Sequence, residues 1–395
     1  MGAGKSTLAA GLEDPRDRLL ALDFPVDIDA EEAWRRVRGG DRPLAQDEAA
    51  FRMLYDQRQP LYDDAADAQA TDLDGAVLVA GGVHVEPGAL ERLGELVPAD
   101  GQVEIVSDAR VAGIYGMDVQ LALGARARAV HELAPGEQAK TVESLEALWH
   151  ALRLERSGTL VALGGGCTTD VAGFAAATYF RGIDWVAVPT TLVGQVDAAI
   201  GGKTAIDLPD GKNLVGSFHW PVRTVIDPVT LETLPEEELA NGRAEVVKTG
   251  LLAGEPIWEL PPGEQVRRAA AFKTALCLRD PHDRGERGQL NLGHTFAHAL
   301  EAAADYALPH GRAVALGLLA ALRLSGLETN VVEEMLRPEP VRVDRDAAWA
   351  ALARDKKVVD GTPRLVLLEA PGAPRVGVEV PSADVRAALD ALIDG

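Results

Sequence analysis

From residue 76 to about 235, short runs of aliphatic and β-branched residues alternate with longer segments whose apolar positions recur every three or four residues. Ala76-Val77-Leu78-Val79, Val103-Glu104-Ile105-Val106, Leu160-Val161-Ala162-Leu163 and Trp185-Val186-Ala187-Val188 read as strands. Such alternation predicts an α/β fold with a mainly parallel sheet flanked by helices. From about Glu236 the pattern turns helical, with Ala/Leu-rich segments, and a late hairpin is predicted over Arg364 to Val380. Ahead of the α/β region, Ala30 to Gly39 and Asp47 to Ala68 read as helices separated by the breaker Gly40-Asp41-Arg42-Pro43. Thr71-Asp72-Leu73-Asp74-Gly75 is a polar joint. The expected division is therefore 1–74, an α/β domain over 75–235 and a mainly helical domain over 236–395.

Composition narrows the function. A chain of 395 residues, 47% of them hydrophobic, can bury a full core. No apolar run approaches the roughly 18 residues of a membrane span, and the N-terminus lacks the basic-then-apolar layout of a secretory signal, so a cytoplasmic location is expected. Cys167 and Cys277 are too few for a disulfide framework. The net charge of −22 argues against nucleic-acid or anionic-membrane partners. Against 31 Arg there are only eight Lys: Lys5, Lys140, Lys203, Lys212, Lys248, Lys273, Lys356 and Lys357. Most stand beside Gly, Asn, Glu or Asp, which makes them candidates for specific work.

Two regions carry chemistry. In Leu160 to Asp170 a strand enters the turn Gly164-Gly165-Gly166-Cys167-Thr168-Thr169-Asp170 and a helix follows through Phe174 and Ala177. Glycines there let backbone amides approach a pyrophosphate at the positive end of the helix. Thr169 stands where the usual dinucleotide fingerprint has its third Gly, so the turn alone is equally a tight strand-to-helix connection. Asp108 at a strand end, Pro189-Thr190-Thr191 after another strand, and the turn from Pro135 to Lys140 add groups suited to a nucleotide. In the helical region, Glu245 and Lys248 share a helix face at i and i+3. His294 and His298 lie at i and i+4, and His310 follows one helix-length later. One carboxylate and two imidazoles suit zinc with open positions. Spacing leaves undecided which two imidazoles bind.

At this point the sequence resembles the 3-dehydroquinate synthase family over about residues 76 to 395. The shared blocks run in order through Pro135-Gly136-Glu137-Gln138-Ala139-Lys140, the Gly-rich turn, Ala175 to Gly182, Pro189-Thr190-Thr191-Leu192 and Gln195-Val196-Asp197. They continue with Ile200-Gly201-Gly202-Lys203-Thr204, Gly211-Lys212-Asn213, Ala244 to Lys248, Leu290 to Thr295 and Asp355-Lys356-Lys357. The resemblance implies a Rossmann-like NAD-binding α/β domain followed by a helical metal-binding domain. It implies zinc or cobalt ligands at Glu245, His294 and His310, with His298 as a nearby catalytic group. It places NAD⁺ contacts at Asp108, Glu137, Lys140, Gly165, Gly166, Asp170, Thr190 and Thr191. Cys167, Thr168, Thr169, Lys203, Lys212, Thr230, Leu231, Glu232 and Thr233 would lie beside them. Substrate contacts fall at Asp197, Lys203, Asn213, Lys248, Lys273, Arg287, Asn291, His298 and Lys356, with Arg181 reaching across a homodimer.

The implied substrate is a sugar phosphate, 3-deoxy-arabino-heptulosonate 7-phosphate. The implied reaction is transient oxidation by NAD⁺, phosphate elimination, reduction and aldol closure to 3-dehydroquinate, in the shikimate route to chorismate and the aromatic amino acids. Lys203, Lys356 and Asn213 would hold the phosphate, and Lys273 with Arg287 the carboxylate. Cys167-Thr168-Thr169, Asp280-Pro281 and a shortened stretch from Leu327 to Arg345 depart from the family pattern. Other sugar-phosphate cyclases and metal-dependent polyol dehydrogenases are the competing activities; the anion-binding cations argue against the latter.

The chain opens MGAGKST, the end of a phosphate-binding loop whose first Gly would precede Met1. With Asp41 to Ala45, Arg58 to Tyr62 and Ala66-Asp67 it resembles the two ends of a shikimate kinase. Leu19 to Val26 is the one candidate core strand, and the acidic residues of the kinase core have no counterpart. No kinase activity is expected of this segment.

Overall fold

The computed structural model describes residues 30–38, 47–53, 55–56, 70, 72–97, 101–209, 211–354, 358–359 and 362–394. MGAGKST, Leu19 to Val26, Arg42, Arg58, Lys356 and Lys357 lie outside the described residues. Contacts divide the chain into two units, 1–84 and 85–395. In the first, helix α1 (Ala30–Val37) carries Trp34, whose ring centroid is 5.5 Å from that of Phe51. Arg52 pairs with Glu31 and Glu48 at 3.0 and 2.8 Å.

Helix α2 (Leu73–Ala80) follows, with the Asp72 carboxylate accepting the Gly75 N–H at 2.7 Å. This corrects the strand expected at Ala76 to Val79. A four-residue apolar run has no period of its own to tell strand from helix, whereas Asp72 at the N-cap and Asp74 in the first turn commit the backbone to a helix.

The second unit opens on a parallel sheet. Its strands include β1 (Val103–Asp108), β2 (Ala127–Leu133), β3 (Thr159–Gly164), β4 (Asp184–Pro189) and β7 (Arg223–Ile226), which run in the order β7-β4-β3-β1-β2. Alternate side chains enter opposite layers. Leu160, Ala162, Trp185 and Ala187 pack with Leu145 and Leu148 of α4 (Val142–Ala151) and Val171 and Phe174 of α5 (Gly166–Thr178). Val161, Leu163, Val186 and Val188 pack with Val119 and Leu123 of α3 (Ala109–Leu123). Burial on both faces explains why these strands read as unbroken apolar runs.

Strand order reverses between β1 and β3, so Asp108 and Gly164 end neighbouring strands at the switch point, where open α/β sheets leave a crevice for ligands. The antiparallel hairpin β5 (Lys203–Leu208) and β6 (Gly211–Phe218) pairs Lys203 with Phe218 and Ile206 with Val215.

Beyond it lie α6 (Glu236–Ala253), α7 (Pro262–Arg279), α8 (His294–Ala303), α9 (His310–Leu324), the short α10 (Asn330–Leu336) and α11 (Arg345–Ala353). The expected late hairpin is present as β8 (Thr362–Ala370) and β9 (Ala373–Glu379), and α12 (Ser382–Asp390) closes the described chain. One core joins Val247 and Leu251 of α6, Phe296 and Leu300 of α8, Val314 and Leu318 of α9, and Leu365 and Leu367 of β8.

Two close approaches set the helix positions around the future site. A Cβ on Gly317 would stand 2.1 Å from Gly293 O, so α9 touches the start of α8 backbone to backbone. A Cβ on Gly311 would stand 2.4 Å from Asn241 Cα, and the Gly311 N–H donates to Asn241 Oδ1 at 3.0 Å, fixing α9 on α6. Gly317→Ala is therefore expected to cost about 1–3 kcal/mol, as overpacked cores do, and to lower the thermal midpoint. Gly263→Ala, with open space at its Cβ, should leave the midpoint unchanged or raise it; equal effects of the two would contradict this packing.

Candidate functional site

These approaches bring Glu245 of α6, His294 at the start of α8 and His310 at the start of α9 together, their ligand atoms all within 4.8 Å of one another. Glu245 Oε1 lies 3.4 Å from His294 Nε2 and 3.3 Å from His310 Nε2. The other ring nitrogens are engaged: His294 Nδ1 donates to Leu292 O at 3.2 Å, and His310 Nδ1 to Glu301 Oε1 at 3.0 Å. Both Nε2 atoms thus face one point beside a carboxylate, where a bound ion would take the place of the proton they share with it.

Glu245 is 1% exposed, its Oε2 lies against the Lys248 ammonium, and that oxygen has no hydrogen-bond partner. One carboxylate and two oriented imidazoles fit a tetrahedral zinc-type ion with room for substrate oxygen. Electrostatics agree. Burial opposes charge on Glu245, yet Lys248 and His294 hold it well below the usual carboxylate range. Burial also opposes charge on His310, but its bonds to Glu245 and Glu301 prevail and take it to about 10. The cluster is built to hold positive charge.

Of the three imidazoles, His298 is the one outside this trio. It stands on the exposed side of α8 with its ring 5.4 Å from that of His294. Glu301, which sequence reasoning passed over, orients His310; the available signal was its place seven residues after His294, on the same helix face.

Next to the metal trio, a turn of π-helix over Gly194–Ala198 presents Asp197. Lys273 of α7 bonds Asp197 O at 2.6 Å and pairs with Asp197 Oδ1 at 2.5 Å. Burial opposes charge on Asp197, while Lys273 and Lys248 lower its pKa. Arg287 is 2% exposed and donates to Gly201 O at 3.0 Å. Its loop is folded around Asp280, whose carboxylate accepts N–H groups from Arg284, Gly285 and Arg287 at 2.9, 2.7 and 3.1 Å. The Asp280-Pro281 departure therefore leaves this turn intact, with Pro281 O also facing Arg287 at 3.4 Å. Asn291 donates to Gly288 O at 3.0 Å. Lys203, at the start of β5, pairs with Asp283 of the same loop.

On the nucleotide side, α5 starts at Gly166 with Gly165 as an N-cap that offers no side-chain bond, so the first amides stay open at the positive helix end. A Cβ at Gly165 would press on Thr191 Cγ2 at 3.0 Å, and one at Gly166 on Ala198 at 2.9 Å. An uncapped, glycine-built helix start beside the switch point fits a dinucleotide pyrophosphate. Thr168 and Thr169 are buried, and the Thr169 hydroxyl turns back to Gly166 O at 2.9 Å.

Asp108 caps α3, accepting from Arg110 and Val111 at 3.0 Å each. The Thr190 N–H bonds Gly164 O at 3.0 Å, and Thr191 Oγ1 accepts from Gly194 at 3.1 Å. Thr230 is buried, accepting from Gln195 and donating to Asp227 O. Thr233 meets Tyr115 at 2.6 Å, while Leu231 is half-buried and Glu232 exposed.

Lys140 is 3% exposed and pairs with Asp170 at 2.7 Å. Burial opposes its charge, but Asp170 keeps its pKa raised. Asp170 itself is pushed up to about 6 by burial against the pull of Lys140. Burial and Glu137 push the Cys167 thiol to about 12, which leaves it an inert wall of the turn.

Asn213, in a left-handed conformation, points its amide oxygen at Lys140, so its first partner is on the nucleotide side. Asp207, also unforeseen, holds the Asn213 N–H at 2.7 Å and donates its own N–H to Lys140 O at 2.8 Å. Lys212 pairs with Glu137 at 3.3 Å. Arg181 sits in an exposed turn beside Phe180 and touches none of these groups.

The chain is similar in sequence and in fold to known proteins. Residues 130–241 match the family described as 3-dehydroquinate synthase N-terminal and residues 242–358 that described as 3-dehydroquinate synthase C-terminal. The 3-dehydroquinate synthase of Bordetella pertussis is 39% identical over 345 residues, covering 78% of this chain and 95% of the relative. A 2-deoxy-scyllo-inosose synthase solved with carbaglucose-6-phosphate, NAD⁺ and Co²⁺ is 25% identical with a TM-score of 0.71, covering 78% of this chain and 96% of that one. A 2-epi-5-epi-valiolone synthase from Streptomyces hygroscopicus, solved with NAD⁺ and Zn²⁺, is 27% identical with a TM-score of 0.69 over the same shares.

Because Glu301 fixes the ring of His310, Glu301→Gln is expected to weaken Zn²⁺ binding about 10–100-fold, read by competition with a chromophoric chelator. His298→Ala should leave that affinity within about twofold. Equal losses in the two variants would refute the assignment of His294 and His310 as the ligating pair.

Proposed function

The chain belongs to the 3-dehydroquinate synthase family, and on that premise we propose how its residues share out the conversion of 3-deoxy-D-arabino-heptulosonate 7-phosphate into 3-dehydroquinate and phosphate. The enzyme is a lyase of the shikimate route that uses NAD⁺ and a divalent metal, zinc or cobalt. The observation that carries the site assignment is the sealed Glu245 carboxylate facing two oriented imidazoles, with Lys248 beside it.

Glu245, His294 and His310 hold the metal, and the open amides of Gly165 and Gly166 with Asp108, Glu137, Lys140, Asp170, Thr190 and Thr191 hold NAD⁺. When bound, the metal polarises a substrate hydroxyl while NAD⁺ takes up and later returns a hydride at the carbon that bears it. Between the two transfers the substrate carries a ketone that acidifies the neighbouring C–H, and phosphate departs by elimination; after the second transfer the ring opens and closes again by an aldol step. No net redox change accompanies turnover.

Arg287 and Lys273 bind the substrate carboxylate. In support, the guanidinium of Arg287 hydrogen-bonds the neutral carbonyls of Gly201 and Pro281, which leaves its charge for an anion. Lys203, with Asn213 and Lys356, binds the phosphate; Lys203 is half exposed, open to solvent and to an incoming dianion. His298, exposed and next to His294, moves protons between substrate and solvent. Lys248 keeps its proton, because Glu245 and Asp197 outweigh the burial that opposes it, and so acts as a fixed cation beside the developing oxyanion. Asp197 and Asn291 orient Lys273 and the carboxylate end.

In domain terms, residues 75–235 bind nucleotide and lend Asp197, Lys203 and Asn213 to the substrate, 236–395 bind metal and the rest of the substrate, and 1–74 take no part in the chemistry. Among the described residues no helix is long and apolar enough to cross a membrane. We assign the enzyme to the cytoplasm, in keeping with its free cysteines, and to a homodimer in which Arg181 reaches the partner's site.

Purified protein given the heptulosonate phosphate, NAD⁺ and Zn²⁺ or Co²⁺ should release phosphate and dehydroquinate in equal amounts without accumulating NADH. Chelation should stop both products and metal should restore them; His310→Ala should abolish turnover in a folded protein. Phosphate release without dehydroquinate, or steady NADH accumulation, would sink this reading.

A further inference from the structure

The C-terminal end of α8 adopts a backbone that most residues avoid. Asp305 and Tyr306 have φ of 46° and 59°, although neither is glycine, and the Tyr306 N–H reaches back to Glu301 O at 2.8 Å. Two consecutive left-handed residues of this kind persist only where the surrounding structure holds them. Burial of the tyrosine does not do so, since Tyr306 is 45% exposed. What its ring meets is Lys212, whose Nζ stands 4.8 Å from the ring centroid. The same ammonium lies 3.3 Å from Glu137 Oε1. Lys212 therefore stands between an aromatic face on one side and a carboxylate of the nucleotide site on the other.

The position of Tyr306 along the chain gives this contact its meaning. Glu301 and His310, joined by a hydrogen bond, bracket the segment that contains Tyr306. Lys212 lies on β6, in the hairpin that also carries Lys203 and Asn213. Resting on the cofactor and metal assignment above, we infer that Tyr306 is a positioning residue that clasps the cofactor-binding hairpin to the metal-ligand segment, so that metal occupancy and NAD⁺ affinity are coupled. An ion that fixes His310 also fixes the segment through Glu301, and with it the ring that keeps Lys212 in place. Ordering Lys212 before NAD⁺ arrives removes part of the ordering cost that binding otherwise carries. The coupling is reciprocal, so NAD⁺ should tighten metal binding by the same factor. An aromatic face is what holds the ammonium, so phenylalanine should serve and alanine should not.

The test measures the Kd of NAD⁺, by titration calorimetry, for the full chain saturated with Zn²⁺ and for the same chain kept in chelator. The wild type should bind NAD⁺ about fivefold more tightly with zinc, the low end of ordinary couplings. Tyr306→Phe should keep that ratio, and Tyr306→Ala should bring it to about one while leaving zinc affinity without NAD⁺ within about twofold. Lys212→Met, at the other end of the clasp, should also bring the ratio to about one, and it decides the matter if Tyr306→Ala does not fold. A wild-type ratio of one, or a Tyr306→Ala ratio equal to wild type, overturns the inference. Normal dehydroquinate formation with a ratio of one would overturn the clasp alone. Coupling without any dehydroquinate would overturn the assigned reaction and leave the clasp standing.

Discussion

A carboxylate sealed from water has to be answered by positive charge, and Glu245 is the place where this chain meets that demand. An unpaired buried ion costs several kcal/mol even after relaxation, so Lys248, His294 and His310 are required around it. Meeting that requirement places three helices. The imidazoles stand at the first residues of α8 and α9, and those starts reach Glu245 because Gly311 and Gly317 let backbones approach where a methyl group would collide. The second ring nitrogens are then pinned by Leu292 O and Glu301, so the cluster is rigid on the side away from the ligand.

The same logic of compensation extends through the rest of the site. A protein of net charge −22 that acts on a phosphate and a carboxylate must keep its cations local. Lys140 with Asp170, Lys203 with Asp283, Lys212 with Glu137, Lys248 with Glu245 and Lys273 with Asp197 each have a carboxylate of their own. These pairs differ in depth. Lys248 and Glu245 are 2% and 1% exposed at their side chains and belong to the scaffold, whereas Lys203 is half exposed. The exposed pair at Lys203 therefore costs little desolvation to open, which is what the proposed phosphate contact needs, while the buried pairs are fixed parts of the scaffold.

The α/β half contributes in a different way. Its sheet is covered on both faces, so it presents chemistry only at the strand ends, and the reversal between β1 and β3 concentrates Asp108, the open start of α5 and the Thr190-Thr191 loop there. Asp207 and Asn213 of the hairpin then tie Lys140 to this edge. The groups proposed to bind nucleotide come from four separate stretches of chain and meet at one end of one sheet.

Much of this was legible from residue order. Continuous apolar runs flanked by helical periodicity determined a covered parallel sheet, and Glu245 with Lys248 at i and i+3 determined a charged helix face, because both are local periodicities of the backbone. The ordered blocks of family motifs determined the reaction. Where the signal was short, local capping overrode it, as at Leu73–Ala80, where Asp72 turned an expected strand into a helix. Spacing left open which two of three imidazoles face Glu245, since i and i+4 on one helix serves as well as two helix starts; the family motifs implied His294 and His310, and the glycine contacts of the tertiary structure are what bring those two to the carboxylate. Tertiary structure alone could show that Glu301 orients His310, that Asn213 turns toward Lys140, and that Tyr306 rests on Lys212. Each of these depends on side chains far apart in sequence meeting in one place, and no period along the chain encodes that.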